Sequence, residues 1–281
     1  MKSESSHTLH AGPLGQSGQY VDEYSAALLF PMPREEGRRA VGLAADAAFL
    51  GQDIWTGYEF SWLDAKGKPQ VAGVICAVDC GSACVVESKS FKLYLNSFAQ
   101  TRFDTWEQVE QTLVQDLRRA FAGSVDLKLL PLSNFAMQIS ELPGRCLDFL
   151  DVEISDYQRK PDLLQQSVAH DAAVVEDQEI YTHLFRSLCP VTAQPDWASI
   201  WIRYSGLAID EPSLLRYLIS YRQHQAFHET TVERMYADIV DYCRPTSLVV
   251  YGRFLRRGGL DINPCRSSAA ITAWDWRLTR Q

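Results

Sequence analysis

The sequence predicts an α+β fold made of two similar units. A β-hairpin pattern over residues 55–79 is followed by two amphipathic helices and a returning strand at residues 125–130. A comparable order of strands, two helices and a further strand occurs again in the second half of the chain. The chain has 281 residues, 46% of them hydrophobic, which is enough for one large domain or two modest ones.

The first unit begins with the hairpin. Apolar and polar side chains alternate over residues 55–62, a turn-forming segment follows at residues 64–68, and residues 71–78 are mostly apolar. A second helix is predicted to begin at Thr105, because Gln108 stands three residues later, as in a capping box. The apolar faces of the two predicted helices contain Phe91, Tyr94, Leu95 and Phe98 in the first and Val109, Leu113 and Leu117 in the second.

The second unit has strand-like segments at residues 149–154, 200–204 and 247–254. One helix is predicted after Asp210, with Pro212 in its first turn, and another begins at residues 230–233. Residues 1–20, rich in Ser, Gly and His, are predicted to be an N-terminal arm. Prolines and a glycine interrupt the chain between residues 132 and 147, so we expect units at residues 21–140 and 141–281.

Composition narrows the function classes. The 35 acidic residues exceed the 27 basic ones, and a net charge of -8 disfavours a nucleic-acid partner. No apolar run has the roughly 18 residues that a membrane span needs, and no signal peptide is evident, so we expect a cytoplasmic protein without a membrane partner. Seven cysteines without an export signal indicate reduced thiols, of which one could be chemically active.

A thiol and a carboxylate stand close together in residues 187–197, where Pro190 and Pro195 bracket a polar stretch. Such a loop could hold Cys189 and Asp196 near each other, although spacing alone favours ordinary packing, since most free cysteines are buried packing residues.

Metal sites are disfavoured. The series Cys76, Cys80 and Cys84 lacks a fourth close ligand, and in the His224/His228 pair a glutamate follows the second histidine instead of the first.

Two segments could bind an anion. Residues 87–94 mix acid, hydroxyl and base at a helix start, where backbone N–H groups are free, and a capped helix with a solvated charged face explains the same pattern. No Rossmann or Walker A glycine motif is present. Positive charge, and a backbone that a ligand can approach closely, could be provided by Arg253, Arg256, Arg257, Gly258 and Gly259. An exposed basic strand end explains the presence of these residues equally well.

Four separated motifs together resemble 7-cyano-7-deazaguanine reductase, the nitrile reductase of queuosine biosynthesis. They are ESKSFKLYLNSF at residues 87–98, CPVTAQPDW at 189–197, FHE at 227–229 and RRGGLDINP at 256–264. The resemblance begins near Phe30 and covers nearly the whole chain. It implies the long form of the family, in which two tandem tunnelling-fold (T-fold) units each have an antiparallel sheet with two helices packed on one face.

The resemblance implies that two NADPH reduce the nitrile 7-cyano-7-deazaguanine to 7-aminomethyl-7-deazaguanine, in a homodimer or higher homo-oligomer. Cys189 would form a covalent thioimide, Asp196 would donate a proton, and His228 would be a second proton source. The residues implied for the substrate are Val86, Glu87, Ser88, His228 and Glu229, and those for NADPH are Ser88, Lys89, Arg257 and Gly258. Two alternatives remain open: a metal-dependent pterin or purine hydrolase of the same fold, and a non-catalytic binding module.

Overall fold

The structure is a computed structural model that describes residues 21, 23–135, 139–165, 173–274 and 276–281. The predicted arm at residues 1–20 lies outside the described residues. The strands are β1 (Pro31–Pro33), β2 (Leu50–Leu63), β3 (Pro69–Asp79), β4 (Cys84–Val86), β5 (Val125–Pro131), β6 (Arg145–Cys146), β7 (Val174–Leu188), β8 (Pro195–Leu207), β9 (Ser247–Phe254) and β10 (Leu260–Ser267). The α-helices are α1 (Arg34–Ala40), α2 (Ser88–Ser97), α3 (Trp106–Phe121), α4 (Glu211–Ser220) and α5 (His228–Cys243).

Eight of these strands form one continuous sheet in the order β5-β3-β2-β10-β9-β8-β7-β6, and β1 pairs with β4 separately. Neighbouring strands of the large sheet are antiparallel, except that β6 runs parallel to β7. The α+β class is therefore confirmed. The pairing of β2 with β10 joins the first half of the chain to the last strand along eight residue pairs.

The helices form two hydrophobic cores with the sheet. Side chains of α2 and α3 pack with those of β2, β3 and β5, and side chains of α4 and α5 pack with those of β8 and β9. A third, smaller core contains Trp201, Tyr251 and Cys265 together with Trp274 and Trp276 of the segment after β10. In the part of the chain that the structure describes, no helix is both long enough and apolar enough to span a lipid bilayer.

The two helix pairs repeat each other in detail. Tyr94, the seventh residue of α2, donates a hydrogen bond to Asp116, the eleventh residue of α3, over 2.9 Å. Tyr217, the seventh residue of α4, donates to Asp238, the eleventh residue of α5, over 2.6 Å. Both α3 and α5 end at a residue in the left-handed conformation. The repeated order read from the sequence thus has a counterpart in side-chain contacts.

The hairpin β2–β3, both helices of the first half and strand β5 are confirmed, as are α4 and β9. Thr105 caps α3 as predicted by accepting from Gln108 N, whereas the Gln108 side chain accepts from Asp104 N, one residue earlier than in the standard capping box.

Two predictions for the second half were wrong. Residues 149–154 form no strand, because no neighbouring strand pairs with them, and Phe149 is 91% exposed. Helix α5 begins at His228 instead of residue 230, with Phe227 as its N-cap residue. His228 contacts strands β9 and β10, which fixes the helix start two residues earlier than local capping preferences indicate.

Candidate active site

The sheet splits between β9 and β10 at one end. The two strands pair only over three residue pairs, from Ser267 with Val249 to Cys265 with Tyr251. Continuing this register would place Gly252 opposite Pro264, which has no backbone N–H to donate. Beyond this point β9 pairs only with β8, and β10 pairs only with β2. We call this unpaired region, residues 252–254 against 260–264, the split.

A cleft lies at the split and is open to solvent. Its walls come from both halves of the chain: the start of α2, the β7–β8 turn, the start of α5 and the strands beside the split. The lining residues are Met32, Val85, Val86, Ser88, Lys92, Cys189, Pro190, Asp196, Phe227, His228, Glu229, Leu255, Arg257, Leu260 and Ile262.

The turn between β7 and β8 presents the thiol and the carboxylate. Cys189 follows the last residue of β7 and is 6% exposed; its N–H donates to Gln194 O over 2.9 Å, and its carbonyl accepts from Ala193 N over 3.0 Å. Asp196 is the second residue of β8, so it belongs to a strand and not to a loop as the sequence had indicated. Both residues line the cleft.

Asp196 is held between the imidazole of His228 and the guanidinium group of Arg257. Its Oδ2 lies 3.4 Å from His228 Nε2, and its Oδ1 lies 2.6 Å from Arg257 Nη2. Arg257 also donates to Gln194 Oε1 over 2.9 Å, which ties the turn to the end of β9.

His228 lies across the split. Its ring stacks on Phe254 of β9 with centroids 3.8 Å apart and an interplanar angle of 8°. Its Nδ1 lies 3.2 Å from Ile262 O of β10. Since a carbonyl only accepts, Nδ1 carries the hydrogen, and Nε2 is the nitrogen left to exchange a proton with Asp196 or a ligand.

Glu229 is buried at the inner end of the cleft. Burial, together with the negative charge of Asp53, raises the pKa of its carboxyl from 4.5 to about 7. One helical turn later, Glu233 accepts hydrogen bonds from Arg38 and from Arg266. This arrangement fixes the first turns of α5 against β10 and α1.

A buried ion network continues behind Glu233. Asp53 of β2 accepts from Arg34 over 2.6 Å and from Arg266 over 2.7 Å, and these guanidinium groups hold the pKa of its carboxyl below its usual range against the effect of burial. The network contains three arginines, Arg34, Arg38 and Arg266, and two carboxylates, Asp53 and Glu233.

Not every residue that the sequence predicted near the start of α2 lines the cleft. Val86 and Ser88 line the cleft, but Glu87 does not. The Glu87 carboxylate caps α2 by accepting from Lys89 N over 2.7 Å and from Ser90 N over 2.9 Å. Lys89 is not among the lining residues either.

Lys92 lines the cleft, although the sequence analysis had given it no role. It stands four residues after Ser88, so the helical period places both on one face, and this was the signal available. Burial lowers the pKa of its ammonium group, and the positive charge of Arg257 lowers it further. Gly258 packs beside it with φ +60, a conformation that favours glycine, and a Cβ there would lie 3.3 Å from Lys92 Cδ.

The remaining candidates lie apart from the cleft. His224 ends a short 3₁₀ turn, Tyr221–Gln223, and burial lowers the pKa of its ring to about 4. Cys76 lies within β3 and Cys84 within β4, while burial raises the pKa of the Cys80 thiol to about 11. Within the described ranges, no group of three or more His, Cys, Asp or Glu side chains is arranged to hold a metal ion.

Two family comparisons match this chain. Residues 20–129 match the family described as nitrile reductase, 7-cyano-7-deazaguanine-reductase N-term. Residues 195–272 match the family described as QueF-like protein. Together they cover more than half of the chain and include the start of α2, Asp196, His228 and Arg257.

The fold, the cleft and these matches define an oxidoreductase of the nitrile reductase class. The chain belongs to the family of 7-cyano-7-deazaguanine reductases, the nitrile reductases of queuosine biosynthesis.

Proposed function

We propose that this protein reduces 7-cyano-7-deazaguanine to 7-aminomethyl-7-deazaguanine with two NADPH, through a thioimide on Cys189. The observation that carries the proposal is that Cys189, Asp196, His228 and Glu229 converge on one cleft from two separate chain segments. A thiol, a proton-exchanging pair and a carboxylate at the inner end are what addition to a heterocyclic nitrile needs.

Addition of the thiol begins the reaction. The Cys189 sulfur bonds to the nitrile carbon, one C≡N π bond breaks, and the nitrogen takes up a proton, so no atom is lost. Asp196 accepts the thiol proton and returns it to the nitrile nitrogen, because its carboxylate lines the same cleft as the Cys189 thiol. Arg257 and His228 hold the carboxylate in place.

The C=N bond of the thioimide then accepts a hydride at carbon and a proton at nitrogen. Expulsion of the Cys189 thiolate, which recovers its proton, gives an imine, and a second hydride and proton give the amine. NADPH supplies one hydride to each of these two reductions. We propose that His228 gives a proton through Nε2, which lies 3.4 Å from Asp196 Oδ2, and recovers it through the Asp196 carboxylate.

Recognition of the heterocycle rests on Glu229. An ionised carboxylate accepts two adjacent N–H donors in a bidentate pair, and failure to pair them would leave buried polar groups unsatisfied. Val86 contacts the ring from the end of β4, Ser88 from the start of α2, and His228 from α5. Glu87 acts through its cap on α2, since its carboxylate oxygens accept two backbone N–H groups.

For NADPH we propose Ser88, Lys89, Arg257 and Gly258, and we add Lys92. Because Gly258 packs closely on Lys92, the Gly258 backbone and the Lys92 ammonium group lie side by side at the rim of the cleft. This arrangement fits an anionic phosphate group.

At the level of the whole chain, we propose two tandem T-fold units at residues 21–140 and 141–281, assembled in a homodimer or higher homo-oligomer. We place the protein in the cytoplasm, without a nucleic-acid or membrane partner. The free thiols and the net charge of -8 support this placement.

The test is intact-protein mass spectrometry after incubation with the nitrile in the absence of NADPH. The mass should rise by one substrate, and the adduct should map to Cys189. Cys189→Ala should abolish both adduct and nitrile-dependent NADPH oxidation, whereas Cys76→Ser, at a thiol buried in β3, should retain both. An adduct that persists in Cys189→Ala, or turnover with no covalent species, would disprove the thioimide route.

A further inference from the structure

The split between β9 and β10 exposes backbone groups that a continuous sheet would pair. At Phe254 both groups are instead satisfied by side chains. Phe254 N donates to Asn263 Oδ1 over 2.9 Å, and Phe254 O accepts from Gln281 Nε2 over 3.1 Å. An unpaired buried backbone group costs about as much as a lost hydrogen bond, so these two side chains stabilise the split arrangement.

Asn263 and Gln281 are in turn fixed by each other and by buried polar neighbours. Gln281 Nε2 also donates to Asn263 Oδ1 over 2.9 Å, and Gln281 Oε1 accepts from Arg253 Nε over 3.0 Å. Asn263 Nδ2 donates to Asp261 Oδ1 over 2.5 Å, and Tyr58 donates to the other oxygen of Asp261 over 2.6 Å. Every polar atom of the two amide side chains therefore has a partner.

This network supports His228, the second proton source in the proposed reaction. Phe254, whose backbone the two amides hold, is the ring on which His228 stacks, and Ile262, beside Asn263, provides the carbonyl near Nδ1. A change in the width of the split would move one of these two contacts relative to the other. The distance from His228 Nε2 to Asp196, 3.4 Å in this structure, would change with it.

We propose that Asn263 and Gln281 are positioning residues: they keep β9 and β10 apart beneath the cleft and thereby orient His228 toward Asp196. The expected change in kinetics rests on the proposed function, whereas the expected change in the orientation of His228 does not. Neither residue lines the cleft, so neither contacts the substrate in this arrangement.

The experiment compares Gln281→Glu and Gln281→Met with the wild type. The glutamate keeps the length of the side chain and the acceptor for Arg253 but has no N–H to donate to Phe254 O. The methionine has neither the acceptor nor the N–H donor. The control is Arg280→Gln in the same segment, because Arg280 donates its hydrogen bonds to His183 O on β7 and to Ala198 O and Ser199 Oγ on β8. Thermal unfolding first shows that each variant is folded.

Two measurements follow. Nitrile-dependent kcat should fall by roughly tenfold to a hundredfold in both Gln281 variants, the KM for the nitrile should stay within about threefold, and the pH profile of kcat should shift, because a misplaced proton donor slows turnover more than binding. Arg280→Gln should keep the wild-type profile. Unchanged kcat and pH profile in both Gln281 variants, or an identical loss in Arg280→Gln, would overturn the proposal.

The second measurement is independent of activity. In protein labelled with ¹⁵N-histidine, the His228 signal, assigned by its absence in His228→Gln, should show hydrogen on Nδ1 in the wild type and a shifted tautomer balance in the Gln281 variants. An unchanged His228 signal in these variants would overturn the positioning role even if no nitrile reduction were found. If only the proposed function were wrong, no Cys189 adduct would form, but the His228 signal would still shift in the Gln281 variants.

Discussion

The buried carboxyl of Glu229 should reduce the stability of the folded protein at neutral and alkaline pH. Its pKa rises from 4.5 to about 7 on folding, so the folded state binds the proton more tightly than the unfolded chain. Stability therefore falls as pH rises from about 4.5 to about 7, by about 3 kcal/mol in all. Glu229→Gln removes the ionisable group and with it this loss.

Accordingly, Glu229→Gln and the wild type should be similarly stable at pH 4.5, whereas at pH 8 the variant should be more stable by up to about 3 kcal/mol. At roughly 2 °C for each kcal/mol, this corresponds to a Tm about 6 °C higher. The same variant should bind the nitrile more weakly, because an amide cannot accept two N–H donors as the carboxylate does.

The assay is thermal unfolding of both proteins at pH 4.5 and pH 8 at one ionic strength. The matched control is Glu107→Gln: Glu107 is the second residue of α3, as Glu229 is of α5, but it is exposed. Its substitution should leave the pH dependence unchanged. A stability difference for Glu229→Gln that is the same at both pH values would refute the reasoning.

Three further outcomes are expected. Asp196→Asn should remain folded but lose about a hundredfold or more in turnover, because the amide cannot carry a proton; wild-type turnover would remove Asp196 from the mechanism. NADPH should be preferred over NADH, since Lys89, Lys92 and Arg257 offer positive charge to the extra phosphate; equal kcat/KM values would contradict this. Sedimentation should show a homo-oligomer, and a fully active monomer at high dilution would contradict that expectation.

The elements that could be predicted from the sequence have local determinants. The hairpin β2–β3 follows from alternation around a turn, and α3 begins at Thr105 because the cap is encoded within four residues. Residues 149–154 show the limit of this reasoning, since an alternating pattern forms a strand only where another strand pairs with it. The position of Cys189 and Asp196 in one turn was likewise readable, because both lie within eight consecutive residues.

Strand β10 illustrates what local patterns do not contain. Its eight residues include Asp261, Asn263 and Arg266, and every one of the eight is buried. Polar side chains are buried at acceptable cost only when they are paired, and Arg266 finds its partners in Asp53 and Glu233, far away in the sequence.

By itself, the sequence determined the α+β class, the helix-start motif and the thiol–carboxylate turn, because each depends on residues a few positions apart. Only the tertiary structure decided that Lys92 reaches the cleft and that His228 lies between β9 and β10. The position of His228 depends on where the sheet splits. The split in turn depends on Asn263 and Gln281, whose contacts with Phe254 join separate segments and are therefore invisible to local pattern.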